Sequence, residues 1–135
     1  MRIIDHQAHE EEAWRPGVTT RMLVSAQTGS VQLCVFQQWC EPGKGAPTHM
    51  HAVEEILTVL GGKAEVWLED ERVVVEAGQS VVVPAGRRHG FVNTGETTLH
   101  VEAILASSSF EASFDNPQEL SRRWLPAKPA TRTAS

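Results

Sequence analysis

From Thr20 to Leu105 the chain breaks into short apolar-rich runs, with no helix between them. Extended runs are read at Arg21–Ser25, Val31–Cys40, around His49–His51, and at Ile56–Leu60, Ala64–Leu68, Val73–Val75, Ser80–Val83, His89–Asn93 and Leu99–Leu105. In the second run Val31, Leu33 and Val35 alternate with Gln32 and Cys34, which assigns the first set to one face. Turn-forming clusters separate the runs: Glu41-Pro-Gly, Gly61-Gly62, Glu69-Asp-Glu, Ala77-Gly78, Pro84-Ala-Gly and Asn93-Thr-Gly-Glu. About nine strands at this spacing predict an all-β, single-domain antiparallel sandwich or barrel.

One helix is expected near the end. Asn116 is a cap residue, Pro117 suits the first helical position, Glu119 follows in the first turn, and Leu120 and Trp124 would share a face. The expected organisation is an N-terminal segment over 1–18, the barrel domain over 19–110, a segment with a short helix over 111–126, and a disordered tail over 127–135.

At 135 residues there is room for one core. A net charge of −5 argues against a nucleic-acid partner, which would normally meet a basic face. No apolar run reaches the roughly 18 residues needed to cross a bilayer, so no membrane partner is expected. The first residues are charged and lack a signal-peptide core, which places the protein in the cytoplasm. Cys34 and Cys40 share a strand face but would lie about 20 Å apart at about 3.3 Å per residue. A disulfide needs Cα atoms within about 7 Å, so two reduced thiols are expected.

The chemistry concentrates in two stretches. The first runs from Gly43 through His49, His51 and Glu55 to Gly62, and the second from Gly78 through Pro84, Gly86 and His89 to Asn93. His49 and His51, two apart on a strand, point the same way. A bend after Ala52 can bring Glu55 beside them, and His89 arrives from a distant strand. Three imidazoles and one carboxylate suit one divalent transition-metal ion: Mn, Fe, Co, Ni, Cu or Zn. The glycines fall where turns need positive φ or a close backbone approach. Asn93 either shares a face with His89 or opens the following turn, and the turn is the preferred reading.

These two stretches resemble the two motifs of the cupin superfamily. The first pattern, G-x5-H-x-H-x3,4-E-x6-G, is met at Gly43, His49, His51, Glu55 and Gly62. The second, G-x5-P-x-G-x2-H-x3-N, is met at Gly78, Pro84, Gly86, His89 and Asn93. The resemblance implies a small single-domain cupin, an antiparallel jelly-roll β-barrel with the metal inside, held by His49, His51, Glu55 and His89. It also implies a homodimer. It leaves the reaction open, because cupins include dioxygenases, isomerases, lyases, cyclases and non-catalytic binders. The chain has no tyrosine, which counts against the cupin subclasses that place a tyrosine near the metal.

Strand parity then suggests what lines the pocket. If Glu55 faces inward, so do Leu57 and Val59, and Phe91 follows His89, so the cavity should be largely apolar. His100 and Glu102 form a polar face opposite Leu99, Val101 and Ala103. They face solvent or supply an acid and a base, and they are the only catalytic candidates. One of Gln37 and Gln38 must face inward. Arg21, Arg87 and Arg88 are candidates to meet a carboxylate at the mouth, although a solvated loop suits Arg87 and Arg88 better. The leading expectation is a metal-dependent enzyme acting on a small organic molecule, by dioxygenase or by isomerase, cyclase or lyase chemistry. A non-catalytic binding module is the alternative, and a structural metal comes third.

Overall fold

The computed structural model describes residues 1–127. Its strands are β1 (Glu12–Arg15), β2 (Val18–Val24), β3 (Cys34–Cys40), β4 (Gly45–Met50), β5 (Glu55–Gly61), β6 (Lys63–Leu68), β7 (Glu71–Glu76), β8 (Ser80–Val83), β9 (His89–Asn93), β10 (Leu99–Leu105), β11 (Phe110–Glu111), β12 (Ser113–Phe114) and β13 (Arg122–Arg123). All pairings are antiparallel. A six-stranded sheet runs β1-β2-β3-β10-β5-β8, a five-stranded sheet runs β12-β4-β9-β6-β7, and β11 pairs with β13. Alternation sets the interior: Leu99, Val101, Ala103 and Leu105 of β10 are buried, as are Glu55, Leu57 and Val59 of β5.

Among the described residues the expected all-β antiparallel fold is present, but a closed barrel is not. The chain leaves β7 at one edge and enters β8 at the edge of the other sheet, and no ladder joins those two edges. The result is two facing sheets.

Two further expectations are corrected. In β3 the buried residues are Cys34, Phe36, Gln38 and Cys40. Val31 and Leu33 precede the strand, 85% and 48% exposed. Both faces of this run carry apolar residues, so alternation alone could not choose between them. Pairing with β2 and β10 decides it.

The C-terminal helix does not form. Asn116 does begin a turn, accepting from the Gln118 N–H at 3.0 Å through its side chain and from the Glu119 N–H at 3.2 Å through its carbonyl. The chain then extends, because Arg122 and Arg123 pair with Glu111 and Phe110. Trp124 is drawn into a cluster with Trp14, Phe36 and Phe110 and is 7% exposed, whereas Leu120 is 58% exposed. The shared apolar face that would have stabilised a helix is therefore absent. The expected tail lies outside the described residues beyond Ala127. No helix among the described residues is long and apolar enough to cross a membrane.

Cys34 and Cys40 are free and fully buried on the inner face of β3. Burial pushes both thiols up to about 12, and the Glu55 charge adds to the effect at Cys34. Thiolate is the reactive form, so both should resist a thiol probe at pH 8 in native buffer and label fully in denaturant. Rapid native labelling would contradict this burial.

Candidate metal centre

Strands β4 and β9 deliver the three histidines, His51 lying just past the end of β4, and β5 brings Glu55. Ala46 and His49 of β4 are both buried although an odd number of steps separates them. A register shift resolves this: Ala46 lies opposite Phe91 and His49 opposite His89, so β4 spends one residue more than β9. Pro47, which has no N–H to give a ladder, sits in that irregular stretch. The bulge turns His49, and with it His51, toward the interior. His89 opens β9, directly across from His49. Glu55 opens β5 in the other sheet and reaches the cluster across the interior.

Each imidazole is anchored through Nδ1 by a backbone carbonyl. His49 donates to Pro47 at 2.6 Å, His51 to Glu111 at 2.7 Å and His89 to Arg87 at 2.9 Å. A carbonyl only accepts, so Nδ1 carries the proton in all three rings, leaving Nε2 as the metal-facing atom. Anchoring of this kind, on the ring nitrogen away from the ion, is how metal-ligating histidines are oriented. One nitrogen from each of the three rings falls within 4.8 Å of the others. Two nitrogens on a shared ion, each about 2.1 Å from it, stand at most about 4.2 Å apart, so a small contraction suffices. Glu55 lies outside this tight group but touches two of its members: Oε1 is 3.1 Å from His89 Nε2 and Oε2 is 3.4 Å from His51 Nε2.

The donor set fits a divalent cation on two grounds. His51 Nε2 is buried without a hydrogen-bond partner, and an orphaned buried polar atom is costly. The protonation states are also suitable. Burial, reinforced by the neighbouring His89 ring, lowers His49 to about 3, which leaves it neutral. Burial alone would raise the pKa of Glu55, but the His51 and His89 imidazoles beside it outweigh that and hold it below the ordinary carboxylate range. For His51 burial pulls down, and the Glu55 carboxylate beside it prevails and raises it.

A pH dependence follows for the metal-free chain. His49 takes a proton near 6.5 when unfolded and only near 3 when folded. The stability it contributes is therefore whole above about 6.5 and is lost as pH falls toward 3. His51 runs the other way; its contribution is complete below 6.5 and lost as pH rises through its raised value. Between pH 6.5 and 4 the His51 contribution is constant, while the losses at His49 and His100, joined by Glu55 below about 4.5, share one sign, so the urea midpoint of metal-free protein should fall over that range. A flat midpoint would contradict the neutral, buried His49.

Above the histidines lies an apolar chamber of about 20 Å³ lined by Trp14, Phe36, Leu57, Phe91, Phe110 and Phe114, with Arg15, Gln38, His49 and Glu55 as its polar members. A water needs about 10–15 Å³ by this measure, so the chamber in this state holds about one. Gln38 is the inward glutamine; its Nε2 donates to Thr20 at 3.0 Å, which leaves Oε1 for the chamber. Arg15 is gripped bidentately by Glu119 at 2.9 and 3.0 Å.

His100 and Glu102 are not brought to the cluster. The alternation of β10 puts them on the side away from the core, where Gln37 links them, accepting from His100 at 2.8 Å and donating to Glu102 at 2.9 Å. Arg21 bonds the His9 carbonyl, while Arg87 and Arg88 pair with Glu69 and Asp115. Asn93 ends β9 and is buried. It donates to Cys40 and Thr97 carbonyls and accepts from the Gly95 N–H, so it both closes the strand and shapes the turn. Sequence reasoning missed Arg15, Phe110, Phe114 and the Glu111 carbonyl. The two-residue spacing of Phe110, Ala112 and Phe114 was a usable strand signal. Arg15 carried none.

Comparison with known proteins agrees with this geometry. The cupin domain family model matches residues 38–105. Polyketide synthase CurC of Streptomyces cyaneus is 30% identical over 100 residues, covering 70% of this chain and 62% of the relative. The chain thus spans about three-fifths of that protein. Among solved structures, the polyketide cyclase RemF from Streptomyces resistomycificus aligns over 88% of both chains at 22% identity and a TM-score of 0.73. KdgF from Halomonas sp. aligns over 78% of this chain and 94% of its own at 20% identity and a TM-score of 0.67.

Proposed function

The chain belongs to the cupin domain family, and on that premise we propose that it is a metal-dependent enzyme acting on a small organic molecule. His49, His51, His89 and Glu55 hold one divalent transition-metal ion in this reading. The observation that carries it is the convergence of three carbonyl-anchored imidazoles, one with an unpartnered Nε2, beneath an aromatic chamber. When bound, such an ion supplies a Lewis acid that polarises a carbonyl or, if redox-active, a centre for dioxygen chemistry.

The chain's own groups divide the remaining work. Glu55 is ionised, the state in which a carboxylate ligates a metal, so it serves as a ligand and not as a base. Gln38 Oε1 offers an acceptor to a hydroxyl or enol. The aromatic walls exclude water and favour a flat, conjugated ligand. Ring closure or isomerisation of a carbonyl-rich substrate is the reaction best supported, since CurC is a polyketide synthase and RemF a polyketide cyclase by name. The test is conversion of a panel of aromatic and 1,3-dicarbonyl compounds by metal-loaded protein, followed by mass spectrometry with and without dioxygen. Oxygen-independent conversion supports ring closure, strict oxygen dependence supports a dioxygenase, and no conversion of any compound counts against an enzyme.

The alternative, a non-catalytic binding module, is favoured by one observation. With His100 and Glu102 on the far face, Glu55 is the chamber's single carboxylate. Ligand retention without turnover would support it. A homodimer completes the proposal, because Val73 and Val74 on edge strand β7 and Val82 on edge strand β8 are exposed. Light scattering should give the mass of two chains; one chain would refute pairing.

A further inference from the structure

The segment from Phe110 to Trp124 reaches the histidine cluster at three points. The Glu111 carbonyl accepts from His51 Nδ1 at 2.7 Å. Phe114 pairs with His49 in the β12–β4 ladder, and its ring stacks on the imidazole at 5.0 Å and 28°. Phe110 meets the His51 ring edge-on at 5.5 Å and 78°. Two of the three imidazoles are therefore oriented partly by a segment that belongs to neither motif.

That segment joins the sheets through short ladders and is anchored by aromatic packing at both ends and by polar contacts toward its far end. β11, β12 and β13 are two residues each. The anchors are the Arg15–Glu119 pair, the Trp124 N–H donating to Glu12 at 2.9 Å, and the packing of Trp124 against Trp14, Phe36 and Phe110. Trp124 sits at φ 57, a left-handed conformation uncommon for a residue with a side chain, so those contacts must hold it there. Phe110 and Phe114 also line the chamber, which in this state holds about one water.

Resting on the metal reading above, we propose that Phe110–Trp124 is a positioning element coupled to the metal centre in both directions. Its seating fixes His49 and His51 for the ion, and a bound ion holds the segment down. Linkage requires the second effect if the first is real.

The test uses the full chain and Co²⁺ alone. Arg122 and Arg72 are about equally exposed, with side chains 60% and 61% accessible, but only Arg122 lies in the segment. Saturating Co²⁺ should slow tryptic cleavage after Arg122 and Arg123 about tenfold relative to cleavage after Arg72. Glu119→Gln, which leaves all four candidate ligands in place, should still bind Co²⁺ but lose most of that protection. Phe114→Leu should shift the visible Co²⁺ absorption bands, a readout that a merely structural role would not move. Bound Co²⁺ without selective protection, or bands unchanged in both variants, overturns the coupling alone. A wild-type chain that binds no Co²⁺ overturns the coupling together with the metal reading.

Discussion

Replacing His51 with alanine should reduce the transition metal found by elemental analysis of the purified full chain from about one ion per chain to background. The ring supplies the one cluster nitrogen that is buried with no hydrogen-bond partner. Removing a group that merely orients a ligand typically costs 10–100-fold in metal affinity, so removing a ligand should cost more than about 100-fold. His49→Ala should behave alike. His100→Ala, on the outer face of β10, should keep full metal content. Thermal melts give a second readout. A ligand at about 1,000 times its Kd stabilises a fold by about 4 kcal/mol, so added metal should raise the wild-type Tm and leave that of His51→Ala unmoved. Unchanged metal content in both histidine variants would remove the foundation of the proposed function.

Gly45→Ala should be the most destabilising single methyl addition in the fold. A Cβ at Gly45 would overlap the Phe91 carbonyl oxygen, with the Phe91 carbonyl carbon at 2.8 Å and Val92 Cα at 3.0 Å. These are backbone atoms of β9, which cannot rotate away as a side chain could. Relief requires β4 and β9 to separate, and their register is what sets His49 against His89. Overpacking a rigid interior costs about 1–3 kcal/mol and occasionally more, and this contact belongs at the upper end. For a chain of this size about 3 kcal/mol corresponds to roughly 10 °C in Tm, and metal affinity should fall with it. Gly78→Ala is the control. Its added Cβ meets nothing within 4 Å, and only its φ of 88° is unfavourable, so about 1–2 kcal/mol is expected. A Gly45→Ala variant melting within about 2 °C of wild type would contradict the strand contact.

These two glycines mark the limit of what could be read in advance. Gly43, Gly62, Gly78 and Gly86 were expected to sit where a turn needs positive φ or a close approach, and all four have positive φ, at 80°, 80°, 88° and 76°. Turn chemistry is written within a few neighbouring residues, so it is visible in the chain. Gly45 and Gly90 are glycine for another reason. Gly90 leaves room for the Trp67 ring and for the Ala46 carbonyl at 2.6 Å. Nothing near them in sequence indicates those neighbours. β3 teaches the same lesson: with apolar residues on both faces, its inward side was settled by β2 and β10. The misread helix at Asn116 failed similarly, since a competent local start lost to the burial of Trp124 among three distant aromatic rings.

The sequence by itself determined the antiparallel all-β class, the turns, and the residue types and order of the three histidines and Glu55. All of these rest on spacing and on chemistry that adjacent residues carry. The tertiary structure decided the rest. It bulged β4 so that His49 faces His89, supplied the Glu111 carbonyl that orients His51, and closed the chamber with Trp14, Phe110 and Phe114. It also turned His100 and Glu102 away from the cluster. Each of these depends on which strand lies beside which, and that is fixed by burying one shared core rather than by any local preference.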